Sequence, residues 1–290
     1  MKKNRTRAKI LFLTPITTLL LVMTIFPFIY LILISFTNKA ATHRNTKFVG
    51  LDNYSQIFHD STFYQSVSIT LIITIFSVFL EILLGLVLAL SFTNLYKNLW
   101  FLRAMVMIPM ASAPVATLFN WRYMLNTSTG VINYFISLFG FSEVGWLDSK
   151  TVGLISIISV ETWMWTPFVF ILLTGALSSI DKNVVEAAEV DGANRFILAR
   201  YIYIPMLKPF LIIALVLRII DAAKSFDAIQ ILTAGGPGYD TASFNFMIFL
   251  NGITYLNFGN AAAQAVILII VLMIISRKFF NRLVREDITK

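Results

Sequence analysis

Six charged side chains sit where charge is costly. Glu81, Glu161, Arg218, Asp221, Lys224 and Asp227 lie inside or at the edge of long apolar runs. Ionisable groups at membrane depth are rare, and they face a partner or a water-filled cavity. Arg218, Asp221, Lys224 and Asp227 recur every three residues, a spacing that puts them on one helix face. Two kinds of chemistry fit. In the first, the stripe lines a path for a polar solute, whose hydroxyls bind through charge-assisted hydrogen bonds. In the second, ion pairs such as Arg218 with Asp221 only fix helix packing. That second role suits Glu81 in particular, and it leaves Lys224 and Asp227 at the outer interface. Aromatic rings add a surface on which a solute with apolar faces could stack: Trp163 and Trp165 near Pro167, and Trp121 and Tyr123. Trp and Tyr also collect at membrane interfaces for independent physical reasons. Enzymatic chemistry finds little footing. Cysteine is absent, His43 and His59 share one polar loop, and no Ser/His/Asp grouping or metal-ligand set stands out. No catalytic, cofactor-binding or metal residue is expected.

These side chains need elements to hold them, and composition says which. Of 290 residues, 58% are hydrophobic and only 13% charged, with a mean hydropathy of +0.79. A soluble domain carries about a quarter charged residues, so the bilayer is the solvent that fits. The net charge of +8 does not indicate nucleic acid, because the basic residues flank apolar runs and read as topology signals. Six spans are expected: Ile10–Phe36, Ser66–Phe92, Arg103–Trp121, Val152–Ala176, Met206–Phe226 and Phe258–Ile275. The first is 27 uncharged residues, against about 7–15 in a cleavable signal core, so it reads as a retained anchor. Pro109, Pro114 and Pro167 are expected to break helices at depth, which is tolerated where backbone lines a cavity. Phe244–Leu256 is apolar but too short to span, and reads as an interfacial or re-entrant helix.

Six spans with an inner N-terminus put sixteen Lys and Arg inside and five outside, with Arg218 and Lys224 in the fifth span. That is a clear positive-inside bias, and it places both termini in the cytoplasm. The longest polar pieces are then Thr37–Gln65 and Arg122–Lys150 outside and Leu177–Ile204 inside.

The inner loop carries the most specific pattern. Asp181 is placed to cap a helix over Lys182–Asp191, and Gly192 ends it as a C-terminal glycine does. A second short helix is expected over Ala193–Tyr201, closed by Pro205. Ala187 and Ala188 would let a partner surface approach closely. An ordinary amphipathic linker on the membrane surface fits the composition equally well.

Spacing separates the two. Glu186-Ala187-Ala188, then Gly192, then Ile202-Tyr203-Ile204-Pro205 resembles the cytoplasmic EAA motif of permeases from binding-protein-dependent ABC importers. The departure is Ile204, where leucine is commoner. Phe48-Val49-Gly50-Leu51-Asp52-Asn53-Tyr54 resembles the segment after the first span of maltose-type carbohydrate permeases. Lys224-Ser225-Phe226-Asp227 and Leu232-Thr233-Ala234-Gly235-Gly236-Pro237-Gly238 resemble their loop after the fifth span. The likeness covers about residues 10–280.

The resemblance implies an all-α membrane protein, a six-helix type I ABC importer permease with cytoplasmic coupling helices. It implies residues 1–65 as N-terminal tail, first span and outer loop, 66–280 as the transmembrane core with coupling loop 181–205, and 281–290 as a cytoplasmic tail. Glu186, Ala187, Ala188, Asp191, Gly192 and Pro205 would couple to a separate ATPase. Glu161, Trp163, Trp165, Arg218, Asp221, Lys224 and Asp227 are the candidates for the substrate path. The implied partners are a second, unlike permease subunit, two ATPase subunits, an extracytoplasmic sugar-binding protein, a sugar or oligosaccharide, and membrane lipid, with no nucleic acid. The implied location is the bacterial cytoplasmic membrane. No GxxxxGK[ST] phosphate loop occurs in the chain, so ATP and its Mg²⁺ would sit on the partner ATPase. The large periplasmic insertion of some relatives is missing. Against this stand an ion-driven carrier using Glu81 or Glu161, which predicts matching repeats in two halves that the sequence does not display, and a membrane enzyme, which lacks its catalytic cluster.

Overall fold

The structure, a computed structural model, describes residues 2–42, 44–95 and 100–288. His43, and Lys97 and Lys290 from the inner basic set, lie outside the described residues. In chain order the helices are α1 (Lys2–Ser35), α2 (Asp52–His59), α3 (Ser61–Leu95), α4 (Trp100–Ala111), α5 (Pro114–Met124), α6 (Val131–Leu138), α7 (Lys150–Ser178), α8 (Lys182–Val190), α9 (Arg195–Leu198), α10 (Ile204–Ala222), α11 (Asp227–Leu232), α12 (Phe244–Phe249) and α13 (Phe258–Ile288). Among the described residues there is no strand beyond an isolated antiparallel bridge between Thr37 and Phe48.

Among the described residues, five helical stretches are long and apolar enough to cross a bilayer: Leu13–Ser35, Ser61–Phe92, Lys150–Ser178, Arg195–Ala222 and Phe258–Phe279. The expected third span is a pair, Phe101–Ala111 and Pro114–Met124, bent by 94°; counted as one, it makes six. The bend has a local cause. Ala113 precedes Pro114 and is extended, at φ −63° and ψ 119°, as the proline ring demands. Pro114 then opens α5, where its missing N–H costs nothing. Pro109 and Pro167 behave otherwise than expected. Each lies inside an unbroken helix, α4 and α7. In a membrane one absent backbone hydrogen bond is cheaper than unwinding several. The apolar piece after the fifth span is a helix over Phe244–Thr254, about 16 Å at 1.5 Å per residue and too short to span.

The chain divides into two compact units. In the unit of residues 62–246 and 272–290, α3 and α7 touch almost backbone to backbone. A Cβ on Gly85 would fall 2.6 Å from Val169 Cβ, the close approach that small residues permit between membrane helices. Phe92, Phe170, Leu173, Leu177, Leu198, Tyr203 and Leu207 build the apolar core at the α8–α10 end of this unit. α11 packs against α5 and α7.

In the unit of residues 1–61 and 247–271, the Phe48–Tyr54 segment works as a clamp. Asn53 Nδ2 donates to the carbonyls of Ser35 (2.8 Å) and Thr37 (2.9 Å), which the end of α1 leaves without helical partners. The hydroxyls of Ser35 and Tyr54 meet at 2.7 Å. Gly259 N–H donates to Lys39 O at 2.8 Å. A Cβ at Gly259 would lie 2.1 Å from Thr37 O. Gly259→Ala must therefore push two backbones apart, and overpacking of this kind costs about 1–3 kcal/mol. Thermal unfolding in detergent should show a midpoint several degrees lower; an unchanged midpoint would contradict the clamp.

Candidate functional site

Three helices of the larger unit bring the buried charges together. Arg218, on α10, forms a two-pronged pair with Glu81 of α3: Nε donates to Oε2 at 2.6 Å and Nη2 to Oε1 at 3.0 Å. Its Nη1 donates to Asp221 Oδ2, one turn on, at 2.6 Å. The guanidinium lies 4.4 Å from the ring centroid of Trp165, on α7. The planar fork of arginine suits this arrangement, because it can satisfy two carboxylates while its flat face rests on an indole. Arg218 and Glu81 are 2% and 0% exposed, whereas Asp221 is 46% exposed. Glu81 and Arg218 are thus tied to each other, and Asp221 presents one side to open space.

Glu161 stands one turn before Trp165. Its carboxylate accepts from Ser225 Oγ at 2.5 Å. Ser225 O in turn accepts from Ser243 Oγ at 3.2 Å, and Lys224 O from Asn245 Nδ2 at 2.6 Å. These contacts correct one expectation. Arg218, Asp221, Lys224 and Asp227 do not share a helix face, because α10 ends at Ala222 and Asp227 begins α11. Side chains from α7, from Ser243 just before α12 and from Asn245 within α12 capture the backbone and hydroxyl of residues 224 and 225, and this outweighs continuing the helix. A cleft of about 210 Å³ results, lined by Glu161, Trp165, Asp221, Lys224, Ser225 and Asp227, with Pro114 and Phe226 on its apolar wall. Carboxylates there can accept from hydroxyls, Lys224 can donate, and the rings offer flat apolar surface.

Trp163 is not in this cleft. It packs edge-on against Trp121, with centroids 5.3 Å apart, and lines a separate apolar groove with Pro109, Thr162 and Pro167. Residues two apart on a helix point in different directions, so Trp163 and Trp165 could not both face one site. Ser225 lies in the Lys224–Asp227 stretch but gives no sign there of its partner, and nothing local marks Ser243 or Asn245.

The loop after α7 forms in close accord with its local signals. Asp181 caps α8 by accepting from Asn183 N–H at 2.9 Å. Gly192 has φ +86°, and the turn closes as a Schellman motif: Gly192 N–H to Glu189 O at 3.0 Å and Ala193 N–H to Ala188 O at 2.9 Å. Asn194 caps the next turn through Ile197 N–H. Two details differ from expectation. Ala188 faces inward, with Val185 and Ala193, onto the apolar core, while Glu186, Ala187, Asp191 and Gly192 are exposed. Pro205 does not close the second helix. It lies in the first turn of α10, and Arg195–Ala222 runs on as one rod. Ala199–Tyr203 wind as a π-helical turn just before Pro205, a wider winding that makes room for the proline ring inside a continuing helix.

The chain matches known proteins over nearly its full length. Residues 4–290 match the family described as "Binding-protein-dependent transport system inner membrane component". The trehalose/maltose transport system permease protein MalF of Thermococcus litoralis is 34% identical over 275 residues, 95% of this chain and 92% of that protein. The trehalose transport system permease protein SugA of Mycobacterium tuberculosis is 32% identical over 273 residues, 91% and 88% of the two chains. Among solved structures, a chain from a bacterial ABC transporter involved in import of the acidic polysaccharide alginate superposes with a TM-score of 0.86 at 23% identity, covering 98% of each chain.

Proposed function

The chain belongs to the family of binding-protein-dependent transport system inner membrane components, and from that premise we propose that it is one of two unlike permease subunits of an ATP-driven importer for a sugar or oligosaccharide. The protein is an integral membrane permease subunit; the sugar, the partners and the orientation are the proposal. One observation carries the substrate class. Glu161, Asp221 and Lys224 meet Trp165 in a single cleft among membrane helices, the pairing of hydroxyl-binding and stacking groups that a saccharide needs. The names of MalF and SugA support the same class. The 181–205 loop, capped at Asp181 and Gly192 and exposed at Glu186, Ala187, Asp191 and Gly192, supports a docking role toward a separate ATPase, which would hold ATP and Mg²⁺. Closure of that ATPase would push on the loop, and the Arg195–Ala222 rod would carry the displacement to Arg218 and Asp221. The excess of basic residues on the loop side supports cytoplasmic termini.

Co-purification in mild detergent tests the assembly. Mass spectrometry should find an ATPase chain and a second, unlike permease; recovery of this chain alone would overturn the reading. A second measurement addresses the cleft. Glu161→Gln keeps an oxygen to accept from Ser225 but removes the charge that strengthens a bond to a sugar hydroxyl. Uptake should fall about tenfold, the effect of roughly 1.4 kcal/mol, with ATPase activity retained. Unchanged uptake would remove Glu161 from the path.

A further inference from the structure

The segment joining α5 to α7, expected to be polar, carries an exposed apolar stripe. Val131, Tyr134, Phe135 and Leu138 fall at helical spacing along one side of α6, and each is at least half exposed. Phe139 and Phe141 extend the patch beyond the helix end and are more exposed still. From Asn126 to Ser142 there is no charged residue. The opposite side of α6 is fastened down. Asn133 is buried, donates to Thr127 O (2.8 Å) and Val144 O (2.9 Å), and accepts from Val144 N–H and from Trp146 Nε1. The apolar side is therefore held outward by a fixed polar hub and cannot fold back on itself.

We propose that α6 lies in the membrane interface, with Val131, Tyr134, Phe135 and Leu138 seated among lipid headgroups and upper acyl chains. Two observations choose lipid over a soluble partner. A contiguous apolar patch must be covered by something. The docking face of a soluble partner carries charges that set its register, and residues 126–142 carry none. Continuity also favours lipid, because α5 belongs to the bent pair and α7 to a long span, so the segment leaves and re-enters the membrane surface. Aromatic and aliphatic side chains together are what that interface takes up. α7, of 29 residues, separates α6 from the 181–205 loop, so α6 anchors the membrane face opposite that loop. An uncharged stripe binds without anionic lipid and is insensitive to salt.

The absence of native cysteine makes the test clean. Leu138→Cys and Tyr134→Cys, each labelled with a polarity-sensitive fluorophore, are compared with Ser128→Cys on the exposed turn before α6. The full chain, with whatever co-purifies, is placed in phosphatidylcholine nanodiscs. Quenchers are aqueous iodide and doxyl groups on shallow acyl positions of the same lipid. Labels at 134 and 138 should be quenched several-fold more by the lipid quencher than the label at 128, and several-fold less by iodide, before and after salt is raised. Iodide reaching 134 and 138 as freely as 128 overturns the proposal. Shielding from iodide without lipid quenching also overturns it, and assigns the patch to a protein partner. The two labels report separately, so failure of one variant to insert leaves the other to decide.

Discussion

Arg218→Met should cost the folded protein about 3–5 kcal/mol, because it strands a buried carboxylate without its counter-ion. Glu81 is fully buried and takes two of the guanidinium's hydrogen bonds, and no other cation pairs with it among the described residues. Asp221 and the face of Trp165 lose their contact in the same step. Thermal unfolding in detergent should show a large drop in midpoint and poor recovery of protein from membranes. The double variant Glu81→Met with Arg218→Met should regain most of that stability, since an apolar pair of similar volume is often as good as a buried ion pair. Uptake separates two roles. If Arg218 also holds Asp221 and Trp165 for the solute, the double variant folds but transports poorly. Arg218→Lys should sit between, because an ammonium cannot make the two-pronged bond. A single Arg218→Met variant as stable as the parent would contradict the burial of the pair.

Gly192→Leu should abolish most ATP-coupled uptake while leaving insertion and spectral helix content intact. Gly192 sits at φ +86°, where a Cβ costs about 1–2 kcal/mol. The space around it is open, with nothing within 4 Å of an added Cβ, so the penalty is conformational rather than a clash. Relief of that strain would unwind the Schellman turn and re-aim Arg195, where the rod to Ala222 begins. Gly192→Asn, which tolerates the left-handed region better, should keep much more uptake. Equal uptake in all three proteins would mean that the turn does not couple anything.

Much of this architecture was legible because its signals are local. Run length and hydropathy gave the spans, and Asp181 and Gly192 marked the ends of α8 by capping chemistry alone. The failures arose where tertiary contacts overrule a local rule. A three-residue spacing promised one face for Arg218 through Asp227, but Glu161, Ser243 and Asn245 seize the chain at residues 224–225 and end the helix. Pro109 and Pro167 looked like breaks, yet their helices persist. Pro205 looked like a stop, and the π turn at Ala199–Tyr203 lets the helix pass it. Two features of the structure are visible in the sequence pattern itself. The two-residue gap already separated Trp163 from Trp165, and the 131, 134, 135, 138 spacing already displayed the apolar side of α6. A packing ion pair suited Glu81 from the sequence, but nothing there names Arg218, 137 positions on, as its partner.

On this reading a saccharide crosses the membrane through this subunit, driven by ATP. The most direct test is uptake of labelled trehalose and maltose into proteoliposomes carrying the purified assembly, with the binding protein outside and ATP inside. The account predicts uptake that requires both luminal ATP and the external binding protein, and that persists when proton and sodium gradients are collapsed. Uptake driven by an ion gradient without ATP would contradict it, and would make Glu161 an ion-coupling carboxylate instead of a sugar ligand.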